Sequence, residues 1–573
     1  MAPHPAAPRL DGLAAELLEL IAAQLTAASD LASLGCVCRV LARVVASGAV
    51  WRGALARAGG GAPRADGGCA RRALRQLHTL DGAWWARERV TPRRAPRARA
   101  HAAAFAFDGG RALIVFGGSA PRAGAGAMRD CWALDVPSGE WFEVAPTESG
   151  PAARCFVADG GGGGVLRDAL GAEFLVLHGG LRAQGYRDNE TWLLGPLGPA
   201  IGARRWRWAR IGGSASPQLA EPIPVARFHH RLTVLGGARS TAHGSSLVIS
   251  GGHDYMLRPL LSVWVLSLRA VELCARTSAA PRDTRADGDA ACVVPEPEPE
   301  PEPVERRVCE RAARALRWAS AESLARLPRT GKEPAPAERA HHAAAAWGRH
   351  LVVFGGERGR GRLLADTWLL DGTLGGWSKL AIALPKGGRS RAAAAVSADL
   401  LLICGGEALV AGAHGATAPV RDCWALNLAT PGALGWTCLA HADAGAGLPS
   451  LAGGAGGAFV SASFGALHDG HTLLVFGGHA GDMNGATRDQ YGDARHGFCA
   501  PAHTWAFRVA TGADDAPVVA RSARCSRDAD GGLFGPAEPG AHVAFVPCGD
   551  RLLACGADES GDRLVVSELA FTR

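Results

Sequence analysis

Histidine and arginine carry most of the chemical capacity of this 573-residue sequence: 19 histidines, and 61 basic side chains that are all arginine except Lys332, Lys379 and Lys386. Two histidine pairs, His229-His230 and His341-His342, invite a metal-binding reading. Successive residues of a strand point to opposite faces, so the two members of one pair cannot ligate the same ion. No metal site is expected from them. None of the 15 cysteines forms a CxxC pair, and there is no GxSxG elbow, Walker loop or HExxH helix. The run Gly160–Gly164 is read as a loop, because nothing after it reads as the helix that a phosphate-cradling turn requires. No catalytic residue, metal or cofactor is assigned. The chemistry that remains is recognition, in which guanidinium groups pair bidentately with carboxylate or phosphate.

Those side chains need a scaffold, and the composition says which kind. The chain is too long for one core, glycine is over-represented at 77 residues, and 16 of the aromatic residues are Trp. A unit recurs along the chain: an apolar strand ending in Gly-Gly, a variable loop, a short strand carrying Trp, then often a second Trp. IVFGG ends at Gly118 and leads to Trp132 and Trp141; VLHGG ends at Gly180 and leads to Trp192, Trp206 and Trp208. VISGG at Gly252 leads to Trp264 and Trp318, VVFGG at Gly356 to Trp368 and Trp377, LICGG at Gly406 to Trp424 and Trp436, and VFGG at Gly478 to Trp505. A degenerate seventh copy ends at Ala557. The apolar runs suit strands buried on both faces, the glycine pair allows positive φ and close backbone approach, and each Trp offers a plate for packing between neighbouring sheets.

These motifs resemble kelch repeats, and the resemblance implies a mainly β fold, a β-propeller of seven blades with six as the alternative. The propeller is expected over 83–573. RARAH, RFHH and ERAHH, ending at His101, His230 and His342, mark the chain entering the innermost strand of a blade. AWWARERV, 83–90, has no blade of its own and is expected to complete the sheet of the C-terminal SELAF strand, hiding two edges. Residues 269–314, with PEPEPEPEP at Pro295–Pro303, read as a solvated extended loop. In a propeller the loops after the glycine pairs and the blade entries share one rim. The target-binding candidates there are Arg99, His101, Arg182, Arg227, His229, His253, Tyr255, Arg339, His341, Arg358, Arg391 and His479, which suit an acidic or phosphorylated protein segment. Kelch propellers that resemble galactose oxidase use two Tyr and two His around copper; Tyr186, Tyr255 and Tyr491 are the only tyrosines here and all fall in loops, so an oxidase is not expected.

Ahead of the repeats the period changes to helical. Leu13, Leu17, Leu20, Ile21 and Leu25 share one face, Ser29 or Asp30 can cap a second helix, and Val37, Leu41, Val44 and Val45 mark a third. ELLELI, DLASL, VCR and the terminal VW at Trp51 resemble an F-box over 10–52, with a helical linker over 53–82. Ala14 stands where that pattern usually has Pro. The resemblance implies docking on a Skp1-type adaptor of a cullin-RING ubiquitin ligase through Leu13, Leu17, Leu18, Ile21, Leu25, Leu31, Leu34, Val37, Cys38, Arg39, Leu41 and Trp51. The order of modules is similar to the F-box and kelch portion of the Zeitlupe/Adagio family. Nine residues precede Leu10, so that family's flavin-binding LOV domain is not expected.

The implied function is that of a non-catalytic substrate-recognition subunit of an SCF-type ligase; a kelch scaffold without a ligase role is the alternative. Twelve arginines against Asp66, Asp81 and Glu88 make 51–100 basic. RRAPRAR, Arg93–Arg99, accompanies no nucleic-acid fold motif, so a nucleic-acid partner is not expected. The odd cysteine count, the lack of a secretory signal and the lack of a long apolar span predict reduced thiols, no membrane partner, and residence in nucleus or cytoplasm.

Overall fold

A computed structural model describes most of 31–57, Leu74, and the strands and adjoining turns between 84 and 570; the segments 1–30, 58–73, 269–315, 441–462, 477–503 and 526–543 lie outside the described residues. The PEPEPEPEP loop and most of the helical linker therefore fall outside it. From residue 84 onward the protein is mainly β, and among the described residues there are seven four-stranded antiparallel sheets. Each of the first five begins just after an arginine-bearing entry. Their first strands are Ala103–Phe107, Gly163–Arg167, Arg231–Leu235, Ala343–Trp347 and Ala393–Ser397. The sixth opens with Ser463–Ala466 and the seventh with Ala544–Cys548.

The second strand of each sheet is the apolar run. Ala112–Phe116 and Leu400–Cys404 are buried along their whole length, as a strand covered on both faces must be. The Trp-bearing strands lie outside it and reach across to the preceding sheet. Trp206 and Trp208 of the second sheet meet Phe107 and Phe116 of the first at ring-centroid distances of 5.5 and 5.3 Å. Trp318 joins the second and third sheets, Trp368 the third and fourth, and Trp424 and Trp436 the fourth and fifth. No sheet covers both of its own faces, so the apolar cores lie between sheets.

First strands of successive sheets touch, and the first strand of the seventh touches that of the first. This order makes the fold propeller-like. The seventh sheet takes strands from both ends of the chain: Trp84–Arg87 pairs antiparallel with Leu564–Ala570, Trp84 opposite Ala570.

Two sequence expectations are corrected. Gly163 and Gly164 open a strand rather than a loop, because a Cβ on Gly164 would lie 2.7 Å from Leu247 and 2.8 Å from Val234 of the third sheet; glycine is there for sheet packing. Cys404 and Cys423, directly opposite on adjacent strands, form a disulfide, so the thiols are not all reduced. Cys131 remains a thiol, its pKa pushed far up by burial and then by Asp130.

In the N-terminal part, helices Arg39–Ala46 and Gly48–Arg57 contact one another. No helix among the described residues is long and apolar enough to cross a membrane.

Candidate functional site

The entry arginines decide what the rim can offer. Arg99, Arg154, Arg227, Arg339 and Arg389 are buried, with 0–2 % exposure for four of them and 3 % for Arg339. Each spends its guanidinium on the joint between a glycine pair and a Trp strand. Arg339 donates from Nη1 to the Gly355 carbonyl at 2.9 Å and grips both oxygens of Asp366 at 2.9 and 3.1 Å. Asp366 in turn accepts from the Trp368 indole at 2.6 Å. Arg99 with Gly117, Asp130 and Trp132, and Arg389 with Gly405, Asp422 and Trp424, repeat the arrangement. Arg154 takes Gly179, Asp188 and Glu190. Burial alone would raise the Asp366 and Asp130 carboxyls, but the arginine and indole donors hold both below the usual range.

The glycine pair is the other half of the joint. Gly117 has φ +63°, and a Cβ there would stand 2.5 Å from the Arg154 carbonyl. That same carbonyl accepts from Gly118 N–H at 3.0 Å. The repeated Gly-Gly is where one sheet's backbone meets the entry of the next. Arg99, Arg227 and Arg339, expected to face a partner, are corrected on this geometry: they lie inside and hold sheets together. The signal was present in the sequence, because the acid stands two residues before Trp132, Trp192, Trp368 and Trp424.

The third joint differs. Ser262 stands where the others carry an acid, and Arg227 bonds the Gly251 and Ser262 carbonyls and the Ser262 hydroxyl. Burial lowers the Arg227 pKa to about 10.

Beside this joint the structure gathers imidazoles. Two residues after the entry arginine the backbone turns through positive φ: 55° at His229, 51° at His341 and 56° at Arg391. The residues that follow turn into the core. His342 Nε2 lies 2.8 Å from the Ser250 hydroxyl, and the His230 pKa is driven down to about 3 by burial, then by Arg227 and His229. Alternation thus holds within each pair, while the first members of the two pairs converge. His229 and His341 have ring centroids 4.1 Å apart, and His253, from the loop after Gly252, lies 5.5 and 5.3 Å from them. His253 is fixed by its backbone, donating to the Phe228 carbonyl at 2.8 Å and accepting from Phe228 N–H at 3.2 Å. Its Nδ1 is 3.3 Å from His229 Nδ1. Its Nε2 is 3.7 Å from Glu357 Oε1, which is also 3.8 Å from His341 Nε2. The pairwise reading of the sequence missed this cluster because it spans two repeats.

Outward from the imidazoles the loop is exposed and apolar. Tyr255 is 66 % exposed, with Met256 and Leu257 exposed beside it, and Leu409 and Val410 exposed on the loop after Gly406. Arg358 is exposed, Arg391 lies 3.9 Å from Glu407, and Arg182 pairs with Asp188 and Glu190 at 2.6 and 2.8 Å. His101 and His479 lie outside the described residues. In the helical module so do Leu13, Leu17, Leu18, Ile21, Leu25, Leu34, Val37 and Cys38, while Arg39 opens a helix. Leu31, Leu41 and Trp51 are buried, the Trp51 indole donating to the Val45 carbonyl.

No family model matches the chain. The chain is 26 % identical over 333 residues, 52 % of its length, to a protein described as serine/threonine-protein phosphatase BSL2 from Arabidopsis thaliana. That stretch spans 29 % of the relative, so the likeness is to a part of that protein.

Proposed function

We propose that the protein is a kelch-type β-propeller of seven blades that captures another protein on the rim carrying the loops after its glycine pairs. The observation that carries this reading is the Tyr255–Leu257 tip, apolar and exposed on a loop anchored by backbone bonds. Exposed aromatic and aliphatic side chains on rigid supports are the usual anchors of protein interfaces. Arg358 lies on the neighbouring loop and would select a carboxylate or phosphate on the partner. The sheet order, the glycine–tryptophan joints and the partial likeness to BSL2 support the propeller side of the reading.

The finer proposal is that the captured protein is a degradation target. On this reading the N-terminal helices act as an F-box, docking a Skp1-type adaptor so that a cullin-RING ligase finds the target held close by. The inward packing of Leu31, Leu41 and Trp51 favours the rival reading, a scaffold whose N-terminal helices are only a cap. Affinity purification of the full chain from cells decides between them. Co-purification of a Skp1-type adaptor, lost in Leu17→Asp and kept in Tyr255→Ala, supports the ligase reading. Absence of the adaptor from wild type rejects it, and binding proteins unchanged by Tyr255→Ala reject the rim.

A further inference from the structure

We propose that His229, His253 and His341 form a binding site for one divalent transition-metal ion of the zinc class. The three imidazoles come from separate chain segments, the entries to the third and fourth sheets and the loop after Gly252. Their ligand atoms all lie within 4.8 Å of one another. A tetrahedral ion with metal–nitrogen bonds of about 2.0–2.1 Å places its ligand nitrogens about 3.4 Å apart, and the His229 and His253 Nδ1 atoms are 3.3 Å apart.

Three further features fit a coordinating role. His229 and His341 occupy the same positive-φ position after their entry arginines, one that Arg391 also takes, so the turn of the repeat places both rings on the same side of adjacent sheets. The cluster is almost wholly shielded, with exposures of 3–7 %, so its geometry is fixed in advance of binding. Finally, His253 offers Nδ1 to the cluster and Nε2 to Glu357. At 3.7 Å the carboxylate is one short side-chain shift from accepting the Nε2 proton, the bond that in metal sites fixes the ring's tautomer and strengthens it as a donor. An all-imidazole set suits Zn2+, Cu2+ or Ni2+ and disfavours Mg2+ and Ca2+. The fourth position is left to water or to a side chain of a bound partner.

The test uses the full chain, stripped with a chelator and titrated with Zn2+ at neutral pH against a chromophoric competitor. One ion per chain is expected, with binding at least about 100-fold weaker in His229→Ala and His253→Ala and about 10- to 100-fold weaker in Glu357→Gln. Binding equal in wild type and His253→Ala overturns the site, as does a wild type that binds no ion. Because the alanine variants remove buried rings, wild type loaded with one Cu2+ supplies a second readout. Electron paramagnetic resonance should show nitrogen couplings from three imidazoles, and a signal from fewer than three nitrogens rejects the assignment.

Discussion

The joints at Asp422 and at Ser262 do the same mechanical job with different electrostatics. At the fifth sheet Arg389 is buried against both oxygens of Asp422, itself almost buried. At the third, Arg227 is equally buried but meets only neutral oxygens, those of Val225, Gly251 and Ser262. An enclosed cation can therefore be held by carbonyl and hydroxyl dipoles alone, at the expense of its proton affinity. The ion pair is one solution to closing the joint. The neutral joint borders the histidine cluster on one side, through His229 and His253, and the ion-paired Arg339–Asp366 joint borders it on the other, through His341.

The contrast makes unequal predictions. Asp422→Ala strands the Arg389 charge in the interior and should lower unfolding stability by about 3–5 kcal/mol, read from denaturant midpoints; a loss below 1 kcal/mol would show that the carboxylate is dispensable here too. Ser262→Asp supplies the missing acid and should stabilise the third joint by about 1.5 kcal/mol, since hydrogen bonds to charged groups contribute about that much; a destabilised variant would mean the pocket is built for a neutral oxygen.

The smallest effect is a pH dependence. His178 is buried with Nδ1 2.9 Å from the Thr191 hydroxyl, and burial, then His230, Arg227 and Arg154, push its pKa well down. A depressed folded-state pKa means the unfolded chain takes up the proton first. Its stabilising contribution is full above the unfolded pKa of about 6.5 and is lost as pH falls below that value. His178→Asn should flatten the acid limb of melting temperature against pH, and an unchanged slope would assign that limb to other groups.

The repeat was legible because its two punctuation marks have physical causes that do not depend on distant sequence. Gly117 needs positive φ and room for the Arg154 carbonyl, and the tryptophans need a facing sheet. Arginine burial was not legible in the same way. Arg339 reads as a rim cation until Asp366, 27 residues further on, is seen to fold over it. The histidine cluster was further from reach, since His229 and His341 meet only once the third and fourth sheets are set side by side. Gly163 and Gly164 misled for the opposite reason: a glycine run reads locally as a loop, and only the Leu247 and Val234 side chains pressing on Gly164 explain why glycine stands in a strand there.

The sheet shared by Trp84–Arg87 and Leu564–Ala570 sets the order of events during synthesis. Trp84–Arg87 leaves the ribosome before any four-stranded sheet is complete and must wait for Leu564–Ala570 to be translated. Until then the first and seventh sheets each present an uncovered flank. The pairing of Trp84–Arg87 with Leu564–Ala570 thus forms late, and the interval before it is when a chaperone would have most to hold.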